Sequence, residues 1–249
     1  MDLGLKDKVV IVTGGARGLG RTYALTFSKE GAKLVVCDVL SCDETAKEIK
    51  ANGGEVLPLI TDVTNEASTL EMAEKAFKRF GRIDVLVNNA GIYGSLKRST
   101  VDQMPPDEWD KVIASHAKGT FLCCKAVFPY MKEKGGKIIN VASGAAFSGL
   151  GSTHYAAAKG AIISFNRSLA REFGPYNINV NVIAPGLILT QASLESISEE
   201  RREAFRQSTV LKRSQQPDSP GGTVLFLASR LADDITGQVI VIDAGGVFH

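Results

Sequence analysis

The sequence predicts a single α/β domain, a doubly wound parallel sheet with helices on both faces. Three observations carry this. Short apolar, β-branched runs recur seven times, helical segments of matching length separate them, and a glycine-rich turn joins the first run to the first helix. Near-continuous apolar strands are the kind buried on both faces, as in a sheet covered by crossover helices. A length of 249 residues allows one large domain or two small ones. The unbroken alternation, with no linker, repeat or low-complexity tract, favours one.

In chain order, strand residues 9–12 run into the turn and a helix over 19–30. Strand 34–37 ends at Asp38 and precedes a helix over 43–51. Strand 56–60 leads to Asp62 and Val63 and a helix over 66–80. Strand 85–87 opens into Asn88-Asn89-Ala90-Gly91, followed by one long helical stretch, 107–134. Strand 137–141 precedes Ser143 and a helix over 153–173 that carries Tyr155 and Lys159. After strand 178–183 the pattern lapses from 187 to 216, although Leu194, Ile197, Ala204 and Phe205 keep roughly helical spacing. A long excursion in a compact domain is usually functional, so this insertion is expected to be a lid over the site. A helix over 218–229 and a strand over 239–242 complete the domain.

Composition narrows the function classes. A net charge of +2, without Lys/Arg runs interleaved with aromatics, argues against a nucleic-acid surface. The residues after Met1 show no basic region followed by a long apolar stretch, so neither signal peptide nor membrane span is expected. Cys37, Cys42, Cys123 and Cys124 form neither a metal pattern nor a disulfide framework, which points to reduced thiols in the cytoplasm. Three scattered histidines suggest no metal site.

The turn Thr13-Gly14-Gly15-Ala16-Arg17-Gly18-Leu19-Gly20 stands where a dinucleotide site requires it, between a strand and a helix N-terminus. Glycines allow a tight turn and close approach of backbone to a pyrophosphate, and the helix N-terminus favours its charge. Gly14, Arg17, Gly18, Leu19 and Gly20 are the candidates. Asp38 ends the second strand, where a carboxylate can accept both adenosine ribose hydroxyls and repel a 2′-phosphate. It therefore favours NAD over NADP, although Arg17 could meet a phosphate. Tyr155 and Lys159, four apart on one helix, can share a face. A lysine there can lower a tyrosine pKa from about 10 toward working pH.

Taken jointly, Thr13–Gly20, Asp62-Val63, Asn88-Asn89-Ala90-Gly91, Ser143, Tyr155, Lys159 and Pro185-Gly186 resemble the short-chain dehydrogenases/reductases of the classical type over nearly the whole chain. The resemblance implies a Rossmann-type sheet of order 3-2-1-4-5-6-7 and a homotetramer. It implies that Asp62 and Val63 flank adenine, Asn89 meets the ribose, Asn88 ties neighbouring strands together, and Ile188 and Thr190 hold the nicotinamide carboxamide. Tyr155 would be the acid/base, Lys159 would lower its pKa and hold the nicotinamide ribose, and Ser143 would orient the substrate oxygen. Two departures stand out. His116 occupies the position where the family commonly has an asparagine serving a proton relay, and histidine titrates near neutrality. The loop from Ser143 to Tyr155 is about one residue short of the family's usual length.

For the substrate, Tyr93, Ser143, Phe147, Leu150, Leu187 and Leu194 are the expected lining. No basic cluster suggests a phosphorylated or CoA-linked molecule, and an apolar pocket fits a hydrophobic alcohol or ketone. Thr153-His154-Tyr155 and the ending Gly245-Gly246-Val247-Phe248-His249 are similar to bacterial NAD-dependent secondary alcohol dehydrogenases of the 1-arylethanol type. Alicyclic alcohol or hydroxysteroid dehydrogenases, a 3-oxoacyl thioester reductase and a non-catalytic dinucleotide-binding scaffold are the alternatives.

Overall fold

The computed structural model of the chain describes residues 2–94, 96, 100–149 and 151–248. Seven strands form one parallel sheet in the order β3-β2-β1-β4-β5-β6-β7. They are β1 (Val9–Thr13), β2 (Lys33–Asp38), β3 (Val56–Ile60), β4 (Val85–Asn88), β5 (Gly136–Val141), β6 (Ile178–Pro185) and β7 (Val239–Ile242). The sheet is that of a Rossmann-type single domain, as the motif order implied. Side chains alternate across each strand, and β1 shows that both faces are buried. Val10 and Val12 pack with Tyr23, Phe27, Ile49 and Leu227 on one face. Val9 and Ile11 pack with Met72, Val127 and Phe173 on the other. Each such fully buried aliphatic side chain contributes about 1.5–3 kcal/mol, so neither layer can be peeled away without losing much of the core.

The covering helices are α1 (Gly18–Lys29), α2 (Asp43–Ala51), α3 (Glu66–Phe80), α4 (Pro106–Ile113), α5 (Gly119–Met131), α6 (Ala145–Ser148), α7 (Thr153–Phe173), α8 (Gln191–Ser196), α9 (Glu199–Ser208) and α10 (Gly221–Ala228). The long helix expected over 107–134 is interrupted. Residues Ala114–Lys118 form a π-helical turn between α4 and α5, and the Thr120 hydroxyl takes the His116 carbonyl at 2.7 Å. Single π turns inside helices are frequent at functional sites. Residues 187–216 contain α8, which carries Leu194, and α9, which carries Ala204 and Phe205, whereas Ile197 is extended where α8 ends.

The chain leaves β1 toward β2 and β3, then returns to the other side of β1 as β4. That reversal opens a crevice beyond the C-terminal ends of β1 and β4, where ligands bind in open α/β sheets. Two polar linkages hold its walls. Thr13 Oγ1 accepts the backbone N–H groups of Asn89 and Ala90, both at 3.0 Å, joining the ends of β1 and β4. Asn88 Nδ2 donates to Asn140 Oδ1 at 2.9 Å, and Asn140 Nδ2 donates to Asn166 Oδ1 at 3.1 Å. This buried chain ties β4 to β5 and then to α7, and so fixes the register of the helix that bears Tyr155. Buried amides left unpaired would each cost about 1–3 kcal/mol, which makes any other register expensive.

Candidate active site

A cavity of about 880 Å3 occupies the crevice. At one end is the N-terminus of α1. Arg17 at its cap is extended and gives no side-chain cap, and no acid stands in the first turn, so the positive helix end is open to an anion. A Cβ on Gly20 would lie 2.0 Å from the Gly14 carbonyl oxygen, so only glycine lets helix and turn approach this closely. Gly18, at φ 56°, has open space where its Cβ would be. These features fit a pyrophosphate against the backbone. Gly14, Arg17, Gly18 and Leu19 border the cavity and Gly20 supports it from behind.

Asp38 borders the same cavity. Its Oδ2 accepts from Ala16 N at 3.2 Å and its Oδ1 from Leu40 N at 3.1 Å. Each oxygen keeps lone-pair capacity for a ribose hydroxyl. Asp62, Val63, Asn89, Ile188 and Thr190 also border the cavity. Asn89 Nδ2 donates to Thr13 O at 3.0 Å, so its amide braces the glycine turn. Thr190 caps α8 by accepting from Ser193 N.

Ser143, Tyr155 and Lys159 converge at the far end. Burial pushes the Tyr155 phenol up, with Tyr93 adding to the rise, against the opposing influence of Ser143 beside its hydroxyl. The Tyr155 side chain is only partly buried by area; its hydroxyl end sits among protein groups and dominates the shift. Burial pulls Lys159 down to about 7. Its Nζ donates to Val141 O at 2.7 Å and lies 5.6 Å from the Tyr155 ring centroid. Desolvation rather than the lysine field therefore sets the tyrosine.

His116 stands edge-on to Tyr155, with ring centroids 5.3 Å apart and planes at 87°. It is 2% exposed, and its Nε2 lies 2.9 Å from Ile92 O. Burial, the nearby Lys159 and His154 depress the imidazole to about 3, against the opposing bond to Ile92. The ring is thus neutral, not a group that titrates near pH 7. A neutral ring bonded to a carbonyl must carry its proton on Nε2, leaving Nδ1 a bare acceptor. Nδ1 is buried without a partner among the described residues.

The substrate wall differs from expectation in part. Tyr93 and Ser143 border the cavity, whereas Phe147, Leu187 and Leu194 are not on its described wall. Phe147, on the one-turn helix α6, packs with Ala142, Ile162 and Val182. Gly186, Ile188 and Thr190 line the wall, and the intervening Leu187 does not. Helix α8 presents Ala192 and Glu195 to the cavity, three apart on one face, which leaves Leu194 outward and 48% exposed. Leu150 lies outside the described residues. Sequence reasoning missed Asn140, Asn166, Ile92, Lys111, Ala192 and Glu195. The double asparagine and Thr13 pointed to the bracing network, but nothing local marked the last three.

A helix end shaped for a pyrophosphate opposite a tyrosine, serine and lysine is suited to passing a hydride and a proton between a nicotinamide dinucleotide and a carbon–oxygen group. This is the arrangement of an oxidoreductase. The family model described as enoyl-(acyl carrier protein) reductase matches residues 14–246. The 3-oxoacyl-[acyl-carrier-protein] reductase FabG of Thermotoga maritima is 38% identical over 245 residues, covering 97% of this chain and 98% of that protein. The (2S)-[(R)-hydroxy(phenyl)methyl]succinyl-CoA dehydrogenase subunit BbsD of Thauera aromatica is 36% identical over 246 residues, 98% of each. The crystal structure of a short-chain type dehydrogenase/reductase from Mycobacterium marinum superposes with a TM-score of 0.92 at 30% identity, covering 100% of this chain and 99% of that one. The chain belongs to the short-chain dehydrogenase/reductase family. It is an oxidoreductase that uses a nicotinamide dinucleotide and a small-molecule substrate. No helix of the described residues is long and apolar enough to cross a membrane, and no group of three or more metal-ligating side chains occurs among them.

Proposed function

We propose that this chain is an NAD-dependent secondary alcohol dehydrogenase that interconverts a hydrophobic alcohol of the 1-arylethanol type and its ketone. The observation that carries the reading is the setting of Tyr155: Ser143 stands beside its hydroxyl and its ring is flanked by Tyr93 at 5.6 Å and His116 at 5.3 Å. Aromatic walls around an acid/base group suit an aryl substituent next to the reacting carbon. The Thauera relative's name also contains a hydroxy(phenyl)methyl group, an alcohol beside a phenyl ring.

The roles follow from the geometry. Ser143 binds the substrate oxygen and orients it. Tyr155 takes the hydroxyl proton during oxidation and returns one to the carbonyl during reduction. With its pKa raised by burial, the phenol of the ligand-free cleft is held as the acid, the form needed for reduction. Oxidation needs positive charge nearby, from Lys159 in its ammonium form. Bound NAD supplies the hydride acceptor. Gly14, Arg17, Gly18, Leu19 and Gly20 would hold its pyrophosphate, Asp38 and Asn89 its adenosine side, Asp62 and Val63 the adenine. Lys159, Ile188 and Thr190 would hold the nicotinamide end. His116 serves as a fixed neutral acceptor in this cleft. It is no proton carrier, because its Nε2–H is committed to Ile92. Asp38 is the basis for NAD over NADP. A cytoplasmic homotetramer is the proposed assembly, checked by light scattering.

A second reading, 3-oxoacyl thioester reduction, draws on the name of the Thermotoga relative. Both are tested by following reduced dinucleotide in the presence of 1-phenylethanol, cyclohexanol, a hydroxysteroid, or an acetoacetyl thioester in the reverse direction. NAD-linked oxidation of 1-phenylethanol, lost in Tyr155→Phe while dinucleotide binding persists, is expected. Turnover confined to the thioester with NADPH would favour the second reading, and a fully active Tyr155→Phe would overturn the mechanism.

A further inference from the structure

His154, adjacent to Tyr155, is 0% exposed. Its Nε2 lies 3.2 Å from Oε1 of Glu108, whose side chain is 26% exposed. Glu108 stands in the first turn of α4, so the contact crosses from one helix to another. The first turn of α7 lacks the usual helix-end supports. Its cap residue Ser152 makes no side-chain capping bond, and no acid stands in that turn. Unsatisfied N-terminal amides and fraying are the usual result, yet this turn carries the acid/base. Helix α4 leads directly into the π turn bearing His116, whose ring packs edge-on against Tyr155. A shift of the α7 turn against α4 would therefore move the tyrosine relative to His116 and to the substrate oxygen together.

We propose that Glu108 and His154 are positioning residues that fix Tyr155 in its reactive place by tying the uncapped first turn of α7 to α4. Nε2–H of His154 donates to the Glu108 carboxylate. Neither side chain is among those bordering the cavity, so the pair acts through the tyrosine's backbone and not by touching substrate. The catalytic consequence rests on the alcohol dehydrogenase reading, whereas the mechanical one does not. Misplacing a reacting group by a fraction of an ångström is enough to slow a reaction substantially without weakening binding.

The test uses the whole chain and four variants, Glu108→Ala, Glu108→Gln, His154→Phe and the double Glu108→Ala/His154→Phe, beside wild type. Amide hydrogen exchange over residues 153–157, measured without ligand, is expected to quicken about tenfold in Glu108→Ala and to return near the wild-type rate in Glu108→Gln, whose amide oxygen can still accept. With NAD and 1-phenylethanol, kcat is expected to fall about tenfold in Glu108→Ala while KM and the NAD dissociation constant stay within about twofold. Glu108→Gln should recover most of kcat. His154→Phe should match Glu108→Ala, and the double variant should be no worse than either, as for two members of one interaction. Unchanged exchange in Glu108→Ala, losses in KM and NAD affinity that match the loss in kcat, or additive single variants would each overturn the proposal. Wild-type inactivity on every alcohol would instead count against the reaction assigned above and leave the exchange comparison to decide the pair.

Discussion

Gly91→Ala tests the geometry behind His116 directly. A Cβ at this position would stand 2.1 Å from Cε1 of His116, 2.3 Å from Nδ1 and 3.0 Å from Nε2. Gly91 is not among the positive-φ residues, so backbone strain does not enter and the cost is steric. The ring has to move, and in moving it gives up the 2.9 Å bond from Nε2 to Ile92 O. Overpacking a tight interior costs about 1–3 kcal/mol, and a buried donor left unpaired costs about 1–3 kcal/mol more. A loss of about 3 kcal/mol is the central expectation. At about 2–4 °C per kcal/mol for a domain of this size, Tm of the ligand-free protein should drop by about 6–12 °C, and kcat should drop as Tyr155 loses its edge-on neighbour. His116→Ala alone should cost about 2–4 kcal/mol through the cavity it leaves. The two changes should not add, because the new methyl occupies space vacated by the ring, and the double variant should melt within a few degrees of His116→Ala. Thermal melts of the four proteins check this. A Gly91→Ala protein with wild-type Tm and kcat, or strictly additive losses, would refute the reasoning.

Three further expectations concern charge. Lys159 holds its proton to about 10.5 when unfolded but sheds it near 7 when folded, so between these values the unfolded chain binds more protons and stability rises with pH. The ligand-free protein should gain up to about 1.4 kcal/mol per pH unit from pH 7 to 9, and Lys159→Met should flatten that slope in melts across this range. His116 behaves likewise at lower pH, unfolded near 6.5 and folded at about 3. Stability should therefore fall as pH drops from 6.5 to 4, His116→Asn should soften this acid limb, and pH–rate profiles above pH 6 should keep their shape in that variant. Asp38→Ser removes the carboxylate that repels a 2′-phosphate. The ratio of kcat/KM for NAD over NADP should fall at least about tenfold, the equivalent of about 1.4 kcal/mol; an unchanged ratio would show that Asp38 does not discriminate.

Much of the site was legible because several signals are local. Gly18 and Gly20 are required by the turn itself, and Asp38 sits at a strand end adjacent to it. Tyr155 and Lys159 are one helical turn apart on α7. Other residues were legible only in type. Asn88 declared a buried amide, but its partners Asn140 and Asn166 come from β5 and α7 and meet only in the folded sheet. Phe147, Leu187 and Leu194 fall off the described cavity wall because hydrophobicity does not tell which neighbour, if any, covers a side chain. Leu187 lies just beyond β6 and off the described wall, and the helical face of α8 turned Leu194 outward.

The sequence by itself determined the alternation of strands and helices, the glycine turn and the helix that carries Tyr155 and Lys159. Hydrophobic period, β-branching and glycine geometry act over a few residues and survive outside any fold. Tertiary structure alone decided the π turn within the stretch 107–134, the bracing of α7 by Glu108, and the protonation of the cleft. Proton affinity depends on which distant segments exclude water from a group. Strands β4 and β5 and helices α4 and α7 together enclose His116, Tyr155 and Lys159, so only their assembly makes the histidine neutral, raises the phenol and brings the lysine down to about 7.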